Sequence, residues 1–482
     1  MDRHRRRLLE RAWAWGALGA LAPLVAGCGG GGSPAPGEDG TAQPMDAALS
    51  DDYVNVRGAP YYAKGDGVTD DTAAIQAAID ASQEVYLPPG TYRVRTLKLR
   101  SRSILRGSGW SSVLSQSSDA HMLAGESASA TSFLDDITIQ DLQLLGEVTT
   151  KKFREHTHLV AINGARNLKI QRCLLRGFRG DGIYLGGRSN ADGSARHNEN
   201  VLILECEFDG INGDNRNGVS VIDGDGVVIQ RNWFHDCSRI DMPGAIDVEP
   251  NEQAFHIARN ISVASNSFAR IGGFVGVVSV VLADHQYTEA PSNFHIANNY
   301  IDSCKGPAFS FVHRPAADVS ASTPPHNFVV SGNVVQGAGR GFSLTAVCGA
   351  VIEGNQFSDE QGSYVGFKDA HLACREVLLL NNVFLRCGSV GGIAMRVFTV
   401  EYLQFQGNRF DDCGTGANGS YALDFNTGTS AHVTLDRNTF VTPTKKTLVA
   451  IRQEPTHVFT PATNRFTGNQ LNGLPSDFPY AP

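Results

Sequence analysis

The chain is short of charge. Only 19% of its 482 residues are Asp, Glu, Lys or Arg, against about 25% in an ordinary globular chain. Its 9 cysteines include no CxxC pair and no Cys/His cluster at zinc spacing, which removes zinc ribbons and dithiol redox sites. GxSxG, HExxH, a phosphate loop and a dinucleotide fingerprint are all missing, so the chemistries that need them find no support. The apolar run Ala12–Gly27 is shorter than the roughly 20 residues that span a bilayer. What is abundant is glycine, 52 residues with 20 prolines, in a chain that is 41% hydrophobic. That is too apolar for disorder and reads as many short elements joined by turns. Net charge is −8, and beyond residue 28 there are 36 basic and 47 acidic residues, or −11. Such a surface repels a phosphate backbone, so nucleic acid is not an expected partner.

The first 28 residues read as an address. Arg5, Arg6 and Arg7 precede Leu8-Leu9 and the apolar run, the order of an export signal. Val25-Ala26-Gly27-Cys28 resembles a bacterial lipobox, which implies cleavage before Cys28 and a lipid on its sulfur. Arg5-Arg6 with Leu8-Leu9 resembles a twin-arginine signal, although His4 stands where Ser or Thr is usual; Sec and twin-arginine export both remain open. Gly29 after the cysteine favours the outer membrane under the enterobacterial sorting rule. Residues 29–50 are a Gly/Ser/Pro-rich linker, and residues 51–482 form one domain. The expected location is the cell envelope, with membrane contact through the Cys28 lipid only.

An internal repeat sets the fold of that domain. The phrase apolar-x-x-Asn-x-apolar recurs around Asn232, Asn266, Asn299, Asn333, Asn355, Asn382, Asn408, Asn438 and Asn469, and Leu142, Cys173 and Cys206 hold the Asn place upstream. The twelve copies are 22 to 34 residues apart. Propeller blades repeat at about 40–45 residues with a different signature. Short alternating strands with a stacked inward Asn at one bend predict an all-β, single-stranded right-handed parallel β-helix, the asparagines being structural because they satisfy buried backbone groups. Cys237, Cys304, Cys387 and Cys413 each fall five residues after a ladder Asn and are expected as stacked buried thiols; a Cys387–Cys413 bridge between adjacent coils is the alternative.

At the amino-terminal end, YAKGDGVTDDTAAIQAAIDASQEVYLPPGTYRV over 62–94 predicts a capping helix. Thr69 or Asp70 is its cap, and Ile75, Ala78 and Ile79 lie on one face. This stretch resembles the opening of the pectate lyase superfamily, the rhamnogalacturonase and epimerase-like β-helix proteins. With the ladder, the resemblance covers the chain from about residue 52. It implies the fold; the superfamily spans hydrolases, lyases, epimerases, phage tailspikes and inert scaffolds, so reaction must be read from a site.

Coil lengths locate that site. Intervals average near 32 residues between Leu142 and Asn333 and then fall to 22, 27 and 26. The additions, Gly187–Asn200, Pro250–Arg259, Ala283–Asn293 and His313–His326, follow the same strand in several coils and would wall a cleft. Alternation turns Ile246 and Val248 inward and Asp247 and Glu249 outward. Two carboxyls at that reach suit glycosidic cleavage, one as acid and one as base or nucleophile; retention and inversion are both open. Asp181, Arg216 and Asp223 come from nearby coils as support, with Tyr184 outward beside them. An acid near Arg216 stays ionised while one without a partner keeps its proton. Along the same outward column Thr345, Lys368, Arg396, Asn426 and Arg452 form a row of subsites whose cations suit acidic sugars. His313 completes the binding set with Tyr184, Arg216, Lys368 and Arg396.

Compared with polygalacturonases, whose Gly-His-Gly and Arg-x-Lys are not found here, the chain departs from the pattern. The expected function is an exported polysaccharide-degrading enzyme, a glycoside hydrolase with Asp247, Glu249, Asp181 and Asp223 as its acids and no required cofactor or metal. A lyase on a uronic-acid polymer stands second; calcium, held by Asp223, Asp225, Asp247 and Glu249, would enter only there. A non-catalytic carbohydrate-binding or exopolysaccharide scaffold is the third. Sequence leaves monomer and trimer open.

Overall fold

The computed structural model describes residues 53–127, 133–189, 194–250, 254–282, 289–313, 325–366, 372–388, 392–414, 420–441, 448–460, 464–472 and 474–475. The stretches expected as export signal and linker, with Cys28, lie outside these. Each turn of the chain lays one strand in each of three parallel sheets. Gly224–Gln230 enters the first sheet, Trp233–His235 the second and Ile246–Val248 the third. The sheets hold 16, 16 and 13 strands. They wind a parallel β-helix of about 12 turns, whose alternate side chains fill one continuous apolar core. The described helix is confined to Thr72–Ala81 and a 3₁₀ turn at Gly109–Ser111. Its Ile75, Ala78 and Ile79 are buried as the pattern predicts, but Asp71 rather than Thr69 or Asp70 holds the cap position. The Asp71 carboxylate accepts the Lys64 and Gly65 N–H groups instead (2.6 and 2.9 Å), tying the entry loop to the helix.

The bend between the first and second sheets carries the asparagine ladder. From Asn232 to Asn438 each backbone N–H donates to the side-chain oxygen of the next ladder Asn at 2.9–3.1 Å. Each Nδ2 also donates to a first-sheet carbonyl one coil back, as Asn299 does to Val263 (2.9 Å). A leucine there would leave buried donors and acceptors unpaired, which costs 1–3 kcal/mol per group. We expect Asn299→Ala, which orphans the Asn266 N–H and the Val263 carbonyl, to destabilise the coil by roughly 2–4 kcal/mol in denaturant melts. A second ladder runs along the exposed entry to the first sheet, unheralded by the repeat phrase. Asp136, Asn167, Asn200, Asn260, Asn293 and Asn327 all take φ of 55–62°, and their side chains bond in two runs separated by Gly226: Asn200 to Asn167 to Asp136 (3.3 and 2.8 Å), and Asn327 to Asn293 to Asn260 (3.0 and 2.9 Å). Short polar side chains tolerate that left-handed backbone, and Gly349 fills the same place one coil later. Asn327→Gly keeps the backbone and loses only exposed bonds, so the same melts should move by less than about 0.5 kcal/mol.

Phenylalanines stack on the inner face of the second sheet, Phe357, Phe384, Phe410 and Phe440 with centroids 4.7–5.1 Å apart. The four predicted bend cysteines are buried free thiols. Cys387 and Cys413 donate to the Phe357 and Phe384 carbonyls (3.4 and 3.2 Å) and are not joined in a disulfide.

Candidate active site on the third sheet

The registers of the third sheet define one outward column: Tyr184, Ser220, Asp247, Ser279, Ser310, Ser343, Tyr364, Arg396, Asp424 and Arg452. Ile246 and Val248 flank Asp247 and point into the core, so strand alternation alone turns Asp247 outward. The long connections leave this sheet after Ile183–Gly186, Ile246–Val248, Val278–Leu282 and Pro307–His313, all at one corner. Much of them (190–193, 251–253, 283–288 and 314–324) falls outside the described residues.

Four of the expected residues meet. Arg216 Nη1 donates to both Asp181 oxygens (2.9 and 3.0 Å), and the Asn217 N–H donates to Asp181 Oδ1 (3.3 Å). Glu155 meets Arg216 from the solvent side at 3.3 Å. Burial works against the Arg216 charge, but Asp181, Asp247 and Glu155 together raise its pKa. Asp247 is fully buried and receives the Ser279 hydroxyl at 2.8 Å. Burial, then the charge of Glu249, pushes Asp247 well above the usual carboxylate range, with Ser279 and Arg216 opposing. Asp247 therefore keeps its proton to a higher pH than an ordinary carboxyl does. The Asn217 amide agrees: it is satisfied with its nitrogen toward the Gly244 carbonyl (2.9 Å) and its oxygen toward Ser220 Oγ (2.9 Å) and Arg216 Nη1 (3.2 Å). That oxygen faces Asp247 Oδ2 at 3.4 Å, a place suited to an acceptor facing an O–H. Glu249, two residues on, is half-buried.

Tyr184 is half-buried and lies flat on His158, centroids 4.7 Å apart and planes 6° off parallel; His121 stacks behind His158 at 4.9 Å. Burial lowers the His158 pKa to about 4, and its Nδ1 accepts the Asp181 N–H (2.9 Å), so the neutral ring carries its proton on Nε2. Burial and the Asp181 charge raise Tyr184, which keeps its phenolic proton.

Other expected residues stand elsewhere. Asp223 is buried at the corner leading to the first sheet, where its carboxylate pairs with His197 Nδ1 (2.9 and 3.1 Å) and accepts the Ile257 N–H (2.8 Å). Its task there is to tie two connections together. Asp225 sits on the first sheet in an ion pair with Arg259 (2.8 Å), so the four oxygen donors considered for calcium are already divided between sheets and partners. His313 has the inward parity of Phe309 and Phe311, registers with Leu282, and is buried; it does not face the column. Thr345 and Asn426 lie two residues beyond the column, whose members in those coils are Ser343 and Asp424. Lys368 falls outside the described residues. Arg396 is in the column, donating to the Tyr364 hydroxyl at 3.0 Å.

Sequence reading missed His121, His158 and Asn217. Each precedes its third-sheet strand by two residues, as Asp181 does, so aligning coils on the strand rather than on the ladder Asn would have found them. The cluster Asp209, His235 and Asp236 has ligand atoms within 4.8 Å of one another, but Arg176 (3.0 Å) and Arg270 (2.6 Å) already neutralise its carboxylates.

Residues 53–269 match the family described as rhamnogalacturonase A/epimerase, pectate lyase-like. The matched stretch is less than half of the chain and shows a likeness to that family over the amino-terminal part of the β-helix. Over 389 residues, 70% of the chain, it is 25% identical to the preneck appendage protein of Bacillus phage PZA, and it spans only 43% of that protein's length. The A-module of a mannuronan C-5 epimerase from Azotobacter vinelandii superposes with a TM-score of 0.56 at 20% identity, covering 86% of this chain and 98% of the module. The pre-mature bacteriophage phi29 gene product 12 gives 0.58 at 18% identity, with 88% and 57% covered. At these identities the structural likeness speaks for the fold.

Proposed function

We propose that the chain processes a polysaccharide along the outer face of the third sheet and cleaves it by hydrolysis, with Asp247 as the acid and Glu249 as the base or nucleophile. The observation that carries this reading is the fully buried Asp247, whose carboxyl is pushed above the usual range, two residues from a second, more accessible carboxyl just past the strand Ile246–Val248. Environments that separate two carboxyls in this way suit the acid and base of glycosidic cleavage. Asp247 meets a glycosidic oxygen only once Asn217 yields, so a sugar hydroxyl that takes the place of the Asn217 amide would open the path. Export through the amino-terminal signal, lipidation of Cys28 and residence in the cell envelope complete the proposal. The names of its structural neighbours are consistent with a polysaccharide partner.

A second reading rests on the Tyr184–His158 stack beside Arg216. In that arrangement a guanidinium neutralises a uronate carboxylate while the phenol moves a proton at the sugar, as β-elimination or epimerisation requires. A panel of neutral and acidic polysaccharides, digested with and without EDTA, separates the two. Reducing ends without ultraviolet absorbance of unsaturated uronates support hydrolysis. Absorbance supports the second reading, and in that case Tyr184→Phe should lower kcat by roughly 10²–10⁴. Binding to a polysaccharide gel with no product of either kind would leave a scaffold.

A further inference from the structure

Four coils beyond Asp247, or about 19 Å at the strand spacing, the same outward column becomes cationic and aromatic. Arg340 enters its coil beside the column and lays its guanidinium over the Tyr364 ring, 4.4 Å from the centroid. Arg396 approaches the same ring at 5.7 Å and gives Nη1 to the phenol oxygen at 3.0 Å. The two cations are not neutralised as other arginines of this chain are. Arg452 holds Asp424 through Nε and Nη2 (2.8 and 3.0 Å) and also meets Glu454 (2.7 Å). Arg396 reaches Asp424 only at 3.9 Å, and no ion pair to Arg340 is formed by any described residue. The carboxyl that acts on Arg340 electrostatically is Glu360, which is fully buried and hydrogen-bonded to the Ser363 hydroxyl. Asp424 and Glu454 are held chiefly by Arg452, and Glu360 lies buried on its Ser363 hydrogen bond with no ion pair to Arg340, so the guanidinium groups of Arg340 and Arg396 are left around Tyr364 in a protein that is acidic as a whole.

The geometry points to an anion subsite at Arg340, Tyr364 and Arg396, which grips one carboxylate or sulfate substituent of a sugar chain lying along the third sheet. Guanidinium groups provide paired donors for such oxygens, and the phenol fixes their orientation. The inference rests on the sugar chain lying along this face, and it adds that the chain is anionic about four units from the reacting bond. Both guanidinium groups remain partly accessible; the Arg396 side chain is 28% exposed.

The test is calorimetric binding of three probes to the full-length protein: an oligouronate, a sulfated neutral oligosaccharide and an uncharged oligosaccharide. The subsite predicts that a charged probe binds more tightly than the uncharged one, with an advantage that shrinks in salt. Which charged probe binds names the group. Arg340→Gln and Arg396→Gln should each weaken that probe by roughly tenfold or more, while Arg172→Gln, which breaks a pair with Asp141 several coils away, should not. Arg340→Lys, keeping the charge without the fork, should recover only part. Equal affinity for charged and uncharged probes, or wild-type affinity in Arg340→Gln with an unchanged melting temperature, overturns the subsite. Cleavage is scored separately: charge-dependent binding without cleavage retires the hydrolase alone, whereas cleavage of an uncharged glycan unaffected by Arg340→Gln retires the subsite alone.

Discussion

Glu360→Gln should stabilise the protein at alkaline pH and lose that advantage in acid. Glu360 takes the bend position that Cys387 and Cys413 occupy in later coils, fully buried, and its oxygens meet the Ser363 hydroxyl at 3.0 and 3.2 Å. The pocket is tight, since a Cβ on Gly341 would lie 2.3 Å from Glu360 Oε2. Burial pushes this carboxyl from 4.5 up to about 8; Ser363, Cys387 and Arg340 oppose the rise without cancelling it. Below 4.5 both folded and unfolded chains hold the proton, and Glu360 costs nothing by titration. Between 4.5 and 8 the folded chain keeps a proton that the unfolded chain has released, so stability falls as pH rises, by about 1.4 kcal/mol per pH unit. Above 8 the loss levels off at an order of 3–5 kcal/mol. Glutamine has nearly the same shape and no charge to bury. All other titrating groups are common to the two proteins and cancel in their difference. Melting temperatures from pH 5 to 9 should therefore diverge by several degrees, with the variant ahead at the alkaline end. A constant difference across that range would mean that Glu360 is solvated or paired when ionised.

The same residue shows where sequence reading stops. The asparagine phrase repeats with an unchanged local context, so a single copy and its spacing give the bend, the buried amide and the three-sheet coil. Likewise, alternation turns Asp247 outward without any knowledge of its neighbours. Glu360 falls five residues after the ladder Asn355, so the same spacing that places the cysteines also places it at the bend; what spacing does not give is how a carboxyl is accommodated there, which depends on burial and on the Ser363 hydroxyl. Outward parity is also not exposure. Asp181, Ser220 and Asp247 have no accessible surface; Arg216 and Asn217 pack on Asp181 from the following turn and Asn217 meets Asp247 from the preceding one. Those contacts cross 30 or more residues of sequence. His313 failed for a simpler reason: counting from the insertion put it beside the cleft, but strand parity puts it in line with Leu282. Asp223 failed because a DGDG turn looks like an exposed acidic loop, whereas His197 and the Ile257 N–H bury it.

Asp247→Asn should lower kcat on the cleaved polysaccharide by roughly 10³ or more, within the range that removal of a positioned acid or base produces, and leave KM almost unchanged. Asparagine still accepts the Ser279 hydroxyl that now reaches Oδ1 at 2.8 Å, and burying an amide is easier than burying a carboxyl, so the fold should hold or gain stability. Lost stability therefore cannot account for lost turnover in this variant. The pH profile gives a second readout. Because burial and Glu249 raise the Asp247 pKa, the acid keeps its proton to a higher pH than an ordinary carboxyl, and activity should fall with rising pH as that proton leaves. Glu249→Gln should also abolish turnover, by removing the base or nucleophile. It should in addition lower the Asp247 pKa, since the Glu249 charge is the second cause of its rise. Added azide can then discriminate: a small external nucleophile rescues an enzyme lacking its carboxylate nucleophile or base, but does not restore a missing acid for a poor leaving group. Rescue of Glu249→Gln without rescue of Asp247→Asn fixes the roles as proposed. Wild-type turnover in Asp247→Asn would move the chemistry to the Tyr184 side of the same column, where Arg216 and the His158 stack already stand.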